Sequence, residues 1–346
     1  MPQKRNPENK GFPPRWRALH GAIYYRVPKG LEWQWDGKST FRLGKTPSEA
    51  YKAWAERVEG NVKSETINQL LDRYALEVIP TKEPTTQKGN IFSMKQLRAA
   101  FGDVPLTQIE PKDIYKYADK RSAKVSAKRE IALLSHAFTK AVEWGYISRH
   151  PFKGEVRLAG EKPRTRYVED WEVVECLSLE PFRKAGSVRA IQSYVRLKLL
   201  TGLRRGDLLR LRGSDFGEQG LRVETHKTGK VTIYDWSPAL ETAVEMAKAS
   251  RPVDISPFLF CNKFGKGYVD ESTGEASGWN SMWQRFFDRV LEETRVTERF
   301  TEHDLRAKVG SDAESLEHAR QLLSHADSAI TQRVYRRKAE RVKPVK

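Results

Sequence analysis

The chain holds only 2 cysteines and 4 methionines in 346 residues, and it has no long hydrophobic run. A bilayer span needs about 20 consecutive apolar residues; stretches such as Ile131-Ala-Leu-Leu134 stop far short of that. No apolar segment follows the basic N-terminus, which argues against a secretory signal. Cys176 and Cys261 are widely separated and lack C-x-x-C spacing. They read as buried thiols of a cytoplasmic protein, with neither a disulfide framework nor a zinc site expected. Internal repeats and low-complexity tracts are missing too. Gly44-Lys45-Thr46 lacks the earlier glycine of a phosphate-binding loop, since Ser39 stands in its place.

Negative charge is also in short supply. Against 62 Lys and Arg there are 45 Asp and Glu, a net charge of +17, and the mean hydropathy is -0.67. The basic residues run along the whole chain, so much of the surface is suited to a polyanion. Nucleic acid is the expected partner, with binding that weakens steeply with salt as phosphate counterions are released.

The length suits two or three domains, and the pattern is mostly α with small β-sheets (α+β). Residues 1–62 read as a small three-stranded β module followed by a helix. Ala22–Val27 and Ser39–Leu43 have strand composition, and Asp36-Gly37 reads as the turn of a hairpin whose other arm is Trp33-Gln-Trp35. Thr46-Pro-Ser-Glu49 opens the helix as a capping box with proline at its first position. The aromatics Tyr25, Trp33 and Trp35 suit either a DNA groove or the core of this module. Residues 63–152 read as a helical domain after a linker at Gly60–Lys63. Its apolar stripes are Ile67, Leu70, Leu71, Tyr74 and Val78, then Ile131, Leu134, Phe138, Ala141 and Val142. Gly89–Phe92 and Glu110-Pro111 mark further helix starts. Lys120, Arg121, Lys124, Lys128 and Arg129 form a charge run that is either a solvated face or a grip on the DNA backbone. Residues 153–166 are basic and broken by prolines, hence a linker. Residues 167–346 mix helices with few strands: a hairpin of Leu221–Glu224 and Val231–Tyr234, and a short strand at Phe258–Cys261.

The chemistry gathers in this last segment. Moving a phosphodiester requires cations on the non-bridging oxygens, a nucleophile, and a proton for the leaving alkoxide. Arginine suits the first task because its planar fork holds two phosphate oxygens and keeps its charge. Arg204 lies in Thr201-Gly-Leu-Arg-Arg-Gly-Asp207, where Asp207 is placed to orient it. His303 and Arg306, in His303-Asp-Leu-Arg306, fall on one face of a helix start. Lys227 sits in the hairpin turn Lys227-Thr-Gly-Lys230, from which an ammonium can reach a site; Lys230 is the second candidate. His226 reads as a strand-end histidine without a role. His325, in Leu323-Ser-His325, precedes Tyr335 by ten residues. A phenol with pKa around 10 needs surrounding cations and a base to attack near neutral pH.

In order and spacing these segments resemble the tyrosine recombinases, the phage integrase family in particular. The resemblance implies a site-specific DNA recombinase that assembles as a homotetramer on double-stranded attachment sites. It implies an arm-type DNA-binding module, a core-binding domain and a catalytic domain, with no metal and no cofactor. Arg204 and Arg306 would clamp the scissile phosphate and Lys227 would protonate the 5′-oxygen. His303 would take the tyrosine proton, His325 would bond the phosphate, and Tyr335 would become a 3′-phosphotyrosine. Accessory DNA-bending or directionality proteins, and a bacterial host cytoplasm, belong to the same expectation. Three departures stand out: Asp207 where glutamate is frequent, Ser324 where glycine is frequent, and ten residues rather than the commoner nine between His325 and Tyr335. The rival readings are a type IB topoisomerase-like enzyme and a DNA-binding regulator that has lost catalysis.

Overall fold

The computed structural model describes residue 9 and residues 11–29, 32–55, 66–182 and 186–339. The expected linker at Gly60–Lys63, the boundary between residues 62 and 63, and the chain from 340 onward lie outside the described residues. The chain divides into two compact units, Met1–Glu161 and Lys162–Lys346.

The first unit opens with an antiparallel sheet of β1 (Trp16–Leu19), β2 (Ala22–Arg26) and β3 (Thr40–Gly44), in that order. His20 and Gly21 both take positive φ, +49° and +70°, the backbone of a tight hairpin turn between twisted strands. The first strand is therefore Trp16–Leu19. Trp33-Gln-Trp35, expected as a hairpin arm, lies instead in a single 3-10 turn, Glu32–Trp35. Trp35 is buried against Tyr25 and Phe41, with ring centroids 4.6 and 5.3 Å away, so this aromatic group forms core. Helix α1 (Pro47–Ala55) follows, its Glu49 N–H donating to Thr46 Oγ1.

Four helices complete the unit: α2 (Ile67–Glu77), α3 (Pro84–Phe101), α4 (Pro111–Lys120) and α5 (Lys124–Glu143). Helix α3 begins at Pro84, before the expected start at Gly89, because proline is well suited to a first helical turn. The stripes Ile67, Leu70, Leu71 and Tyr74, and Leu134, Phe138 and Ala141, are buried and share one hydrophobic core with Trp16, Ile23 and Leu43 of the sheet and with Trp35.

The charge run on α4 and α5 is partly consumed by the fold. Arg121 forks onto Glu130 with contacts of 3.1 and 2.7 Å, and Tyr117 donates to the same carboxylate at 2.6 Å. Glu130 is 1% exposed, so Arg121 neutralises a buried charge and braces α4 against α5. Lys124 donates to the carbonyls of Ala118 and Asp119 at the end of α4. Lys128 donates to the Gly160 carbonyl, Arg129 pairs loosely with Glu161 at 3.6 Å, and Lys120 is exposed. Removing Arg121 leaves buried Glu130 without its counter-charge, so Arg121→Met is expected to destabilise this unit. Urea unfolding followed by tryptophan fluorescence checks this: the Arg121→Met midpoint falls and Arg121→Met/Glu130→Leu recovers part of it. An unchanged midpoint for Arg121→Met would free Arg121 for another task.

The second unit contains α6 (Asp170–Ser178), α7 (Ser187–Thr201), the short α8 (Arg205–Leu209), β4 (Phe216–Gly217), β5 (Gly220–Glu224), β6 (Val231–Tyr234), α9 (Pro238–Ala249), α10 (Ser277–Glu293), α11 (Glu302–Asp312) and α12 (Leu316–Leu322). Strands β4, β5 and β6 form an antiparallel sheet in which Leu221 pairs with Tyr234 and Glu224 with Val231. The expected strand at Phe258–Cys261 is reduced to two isolated bridges, Arg212 to Phe258 and Cys261 to Gly267. The core packs Ile191, Tyr194, Leu197, Leu208, Trp279, Phe287 and Leu305 together. Cys176 and Cys261 are both free and buried, and burial pushes the Cys176 thiol up to about 12. No helix among the described residues is long and apolar enough to cross a membrane.

Candidate active site

Helix α7 stops where Gly202 turns left-handed at φ +65°. A β-carbon there would lie 2.8 Å from the Leu323 side chain, so glycine serves both the turn and the close approach. The turn is tightened by Lys198, which donates to the Leu203 carbonyl at 2.6 Å, and by Thr201, which donates to the Leu197 carbonyl at 2.7 Å. Arg204 then stands as the N-cap of α8 with its side chain half-buried. Its Nη1 is buried without a hydrogen-bond partner, which suits a donor held for an anion.

Helix α11 is started by Thr301 and Asp304, which cap it reciprocally. Arg306, one turn in, is 2% exposed. Its guanidinium donates to the Gly202 and Leu323 carbonyls and to His325 Nε2 at 3.1 Å, leaving Nε unpartnered. One side chain therefore ties together the arginine turn, helix α11 and the loop before His325. That loop holds Ser324 at φ +49°, a left-handed conformation that favours glycine; its hydroxyl lies 2.9 Å from Thr232 Oγ1 on β6.

Tyr335 is buried, and its ring meets three expected partners. The centroid is 4.7 Å from the His325 ring, 5.2 Å from the His303 ring and 5.5 Å from the Arg306 guanidinium. Arg204, His303, Arg306 and Tyr335 line one cleft of about 520 Å³, which Lys198 lines as well. Burial, followed by the charges of Arg306 and Arg204, pushes His325 down to about 4. His303 is exposed by surface area, yet desolvation of its ring, followed by the charges of Arg337, Arg306 and Lys198, pushes it down to about 4 as well. Both imidazoles are neutral at pH 7, and an anion arriving among these cations would raise both values.

The remaining expected residues stand further out. Lys227 is exposed at the tip of the β5–β6 turn. Lys230 is half-buried, and its charge adds to the depression of His325. Asp207, expected to orient Arg204, accepts the His226 N–H at 2.9 Å through Oδ1 and so anchors the base of the hairpin; its Oδ2 is buried without a partner. His226 thus serves through its backbone.

Two further residues belong to the setting. Lys198 is 1% exposed, and burial lowers its ammonium to about 7. A lysine within the apolar run Val195, Leu197, Leu199 and Leu200 was its signal. Arg337 pairs with buried Asp304 at 2.6 Å and donates to the Arg166 carbonyl at 2.9 Å, anchoring the chain just beyond Tyr335. Within an arginine-rich stretch nothing marked it out.

Known proteins resemble this chain in sequence and fold. The sequence model of the phage integrase family matches residues 182–341. The integrase of Enterobacteria phage 434 is 30% identical over 258 residues, which cover 67% of this chain and 68% of the relative. A crystal structure of a lambda integrase fragment, a dimer bound to a COC′ core site, shares the fold with a TM-score of 0.64. It is 22% identical and covers 81% of this chain and 99% of its own. A lambda integrase tetramer bound to a Holliday junction gives a TM-score of 0.59 at 22% identity, covering 92% of this chain and 97% of its own. The class is that of the site-specific tyrosine recombinases. Within it, the chain belongs to the phage integrase family.

Proposed function

We propose that this recombinase cuts and rejoins double-stranded DNA through a 3′-phosphotyrosine formed on Tyr335. The observation that carries the reading is the packing of the Tyr335 ring among His303, His325 and Arg306, in the cleft lined also by Arg204. In this scheme Arg204 Nη1 and the Arg306 guanidinium hold the non-bridging oxygens of the scissile phosphate, where each donor contributes about 3 kcal/mol to the charged transition state. The Tyr335 oxygen attacks phosphorus, the bond to O5′ breaks, the phenol proton passes to neutral His303, and a hairpin lysine protonates the departing O5′. Rejoining is the same sequence reversed, with a 5′-hydroxyl as nucleophile.

Lys227 is the proposed acid, because a long side chain on an exposed turn can fold over bound DNA. Lys227→Ala is expected to slow cleavage by about 10²-fold and to recover on a substrate whose leaving oxygen is replaced by a 5′-bridging sulfur. Single-turnover adduct formation measures both. Recovery confined to Lys230→Ala would assign the acid to Lys230.

We further propose a homotetramer on two duplexes, a reading supported by the likeness to the lambda integrase tetramer on a Holliday junction. The domain plan proposed is 1–62 for arm-type DNA binding, 63–152 for core binding, 153–166 as linker and 167–346 for catalysis, acting in a bacterial cytoplasm. Accessory DNA-bending or directionality proteins complete the proposed partners. Adduct formation on a nicked attachment site in EDTA tests the chemistry, and dependence on a second specific site separates recombination from relaxation.

A further inference from the structure

Between His325 and Tyr335 the backbone leaves α-helical geometry. Ser328–Ile330 makes one turn, opened by the Asp327 carboxylate, which accepts the Ala329 N–H at 2.7 Å. Thr331–Tyr335 is then a π-turn, in which the Arg336 N–H donates to the Thr331 carbonyl five residues back at 3.2 Å. Such turns hold one residue more than an α-turn and are frequent at functional sites.

Both ends of the turn are pinned. After it, the Ser311 hydroxyl donates to the Tyr335 carbonyl at 2.8 Å and accepts the Arg337 N–H at 2.7 Å. Gly310 permits this closeness, because a β-carbon there would lie 2.9 Å from the Tyr335 β-carbon. At its start, Thr331 is fully buried, with Oγ1 2.8 Å from His325 Nδ1 and 3.4 Å from the Asp327 carbonyl.

These contacts define the proton on His325. Arginine only donates, so Nε2, facing Arg306 Nη2 at 3.1 Å, accepts. The neutral ring then carries its hydrogen on Nδ1 and donates to Thr331 Oγ1, whose own hydrogen turns to the Asp327 carbonyl. We propose that Thr331 is a positioning residue: as the first residue of the π-turn it fixes His325 as the Nδ1–H tautomer with Nε2 toward Arg306, while the turn seats Tyr335 against the same imidazole. A phosphate oxygen entering beside Arg306 then meets Nε2, which accepts from Arg306 and is the one ring nitrogen that does not already carry a hydrogen. This rests on the reading of His325 and Tyr335 given above.

The test uses the full chain. Thr331→Val removes the acceptor at nearly constant volume, and Thr331→Ser keeps it. Loss of a partner that orients a functional histidine costs about 10-fold or more; Thr331→Val is expected to slow adduct formation at saturating DNA by that factor with DNA affinity unchanged, and Thr331→Ser to restore it. Histidine-selective ¹⁵N NMR of the DNA-free protein should show His325 as Nδ1–H in wild type and Thr331→Ser, and with mixed tautomers in Thr331→Val. A wild-type rate in Thr331→Val, or an Nε2–H tautomer in the wild-type protein, overturns the proposal, and the latter holds even if the valine variant fails to fold. Adduct that persists in Tyr335→Phe would instead overturn the underlying assignment of the nucleophile.

Discussion

Arg306→Ala is expected to lose at least 10²–10³-fold in the rate of strand cleavage, the cost of one preorganised donor to a developing anion. The loss should exceed that of an exposed DNA-contacting arginine because the side chain has two tasks. Its fork donates to the Gly202 and Leu323 carbonyls and to His325. Alanine strands both carbonyls in a buried site, at about 1–3 kcal/mol each. Melting of the second unit therefore falls together with activity. Arg306→Lys keeps a charge but has no fork, so it should recover some stability and little rate. Single-turnover cleavage at saturating DNA, beside thermal unfolding monitored by circular dichroism, reads both quantities. A stable Arg306→Ala protein that cleaves within about 10-fold of wild type would remove this arginine from the phosphate clamp.

Tyr335→Phe is expected to take covalent adduct below detection while leaving folding and DNA affinity at wild-type levels. The contacts that seat the residue are made by its ring and backbone: the two imidazoles, the Arg306 guanidinium and the Ser311 hydroxyl on the Tyr335 carbonyl. Phenylalanine keeps all of them and removes the hydroxyl, the proposed nucleophile, together with its interaction with Arg306. Denaturing electrophoresis of the protein with nicked DNA measures the adduct, and fluorescence anisotropy the affinity. Adduct of normal yield from the variant would move the chemistry to another residue.

Much of the frame is legible in the sequence, for identifiable reasons. The α2 and α5 stripes repeat at helix spacing and bury large side chains, and the β5–β6 hairpin is flanked by β-branched residues around a Thr-Gly turn. Local pattern failed where long-range packing decided the outcome. Trp33-Gln-Trp35 has strand composition, yet Trp35 is needed in the core and the segment coils into a 3-10 turn. Trp16–Leu19 carries little local strand signal because His20-Gly21 is an unusual hairpin turn. At the site, residue types and their order pointed to Arg204, His303, Arg306, His325 and Tyr335. Their roles in the fold were hidden, since nothing in a sequence shows that Arg121 balances buried Glu130 or that Asp207 turns to the His226 backbone. The ten-residue interval was visible as an irregularity; only the backbone shows the π-turn that contains it.

The central claim is that Tyr335 carries the DNA, and mapping the covalent bond tests it most directly. The wild-type protein would be incubated with nicked attachment-site DNA in EDTA, then denatured and digested with nuclease and trypsin, and its nucleotide-bearing peptide sequenced by mass spectrometry. The nucleotide should lie on the short peptide that contains Tyr335, joined through a 3′-phosphate. A nucleotide on any other residue, or adduct that forms only when a divalent metal is restored, would contradict the account.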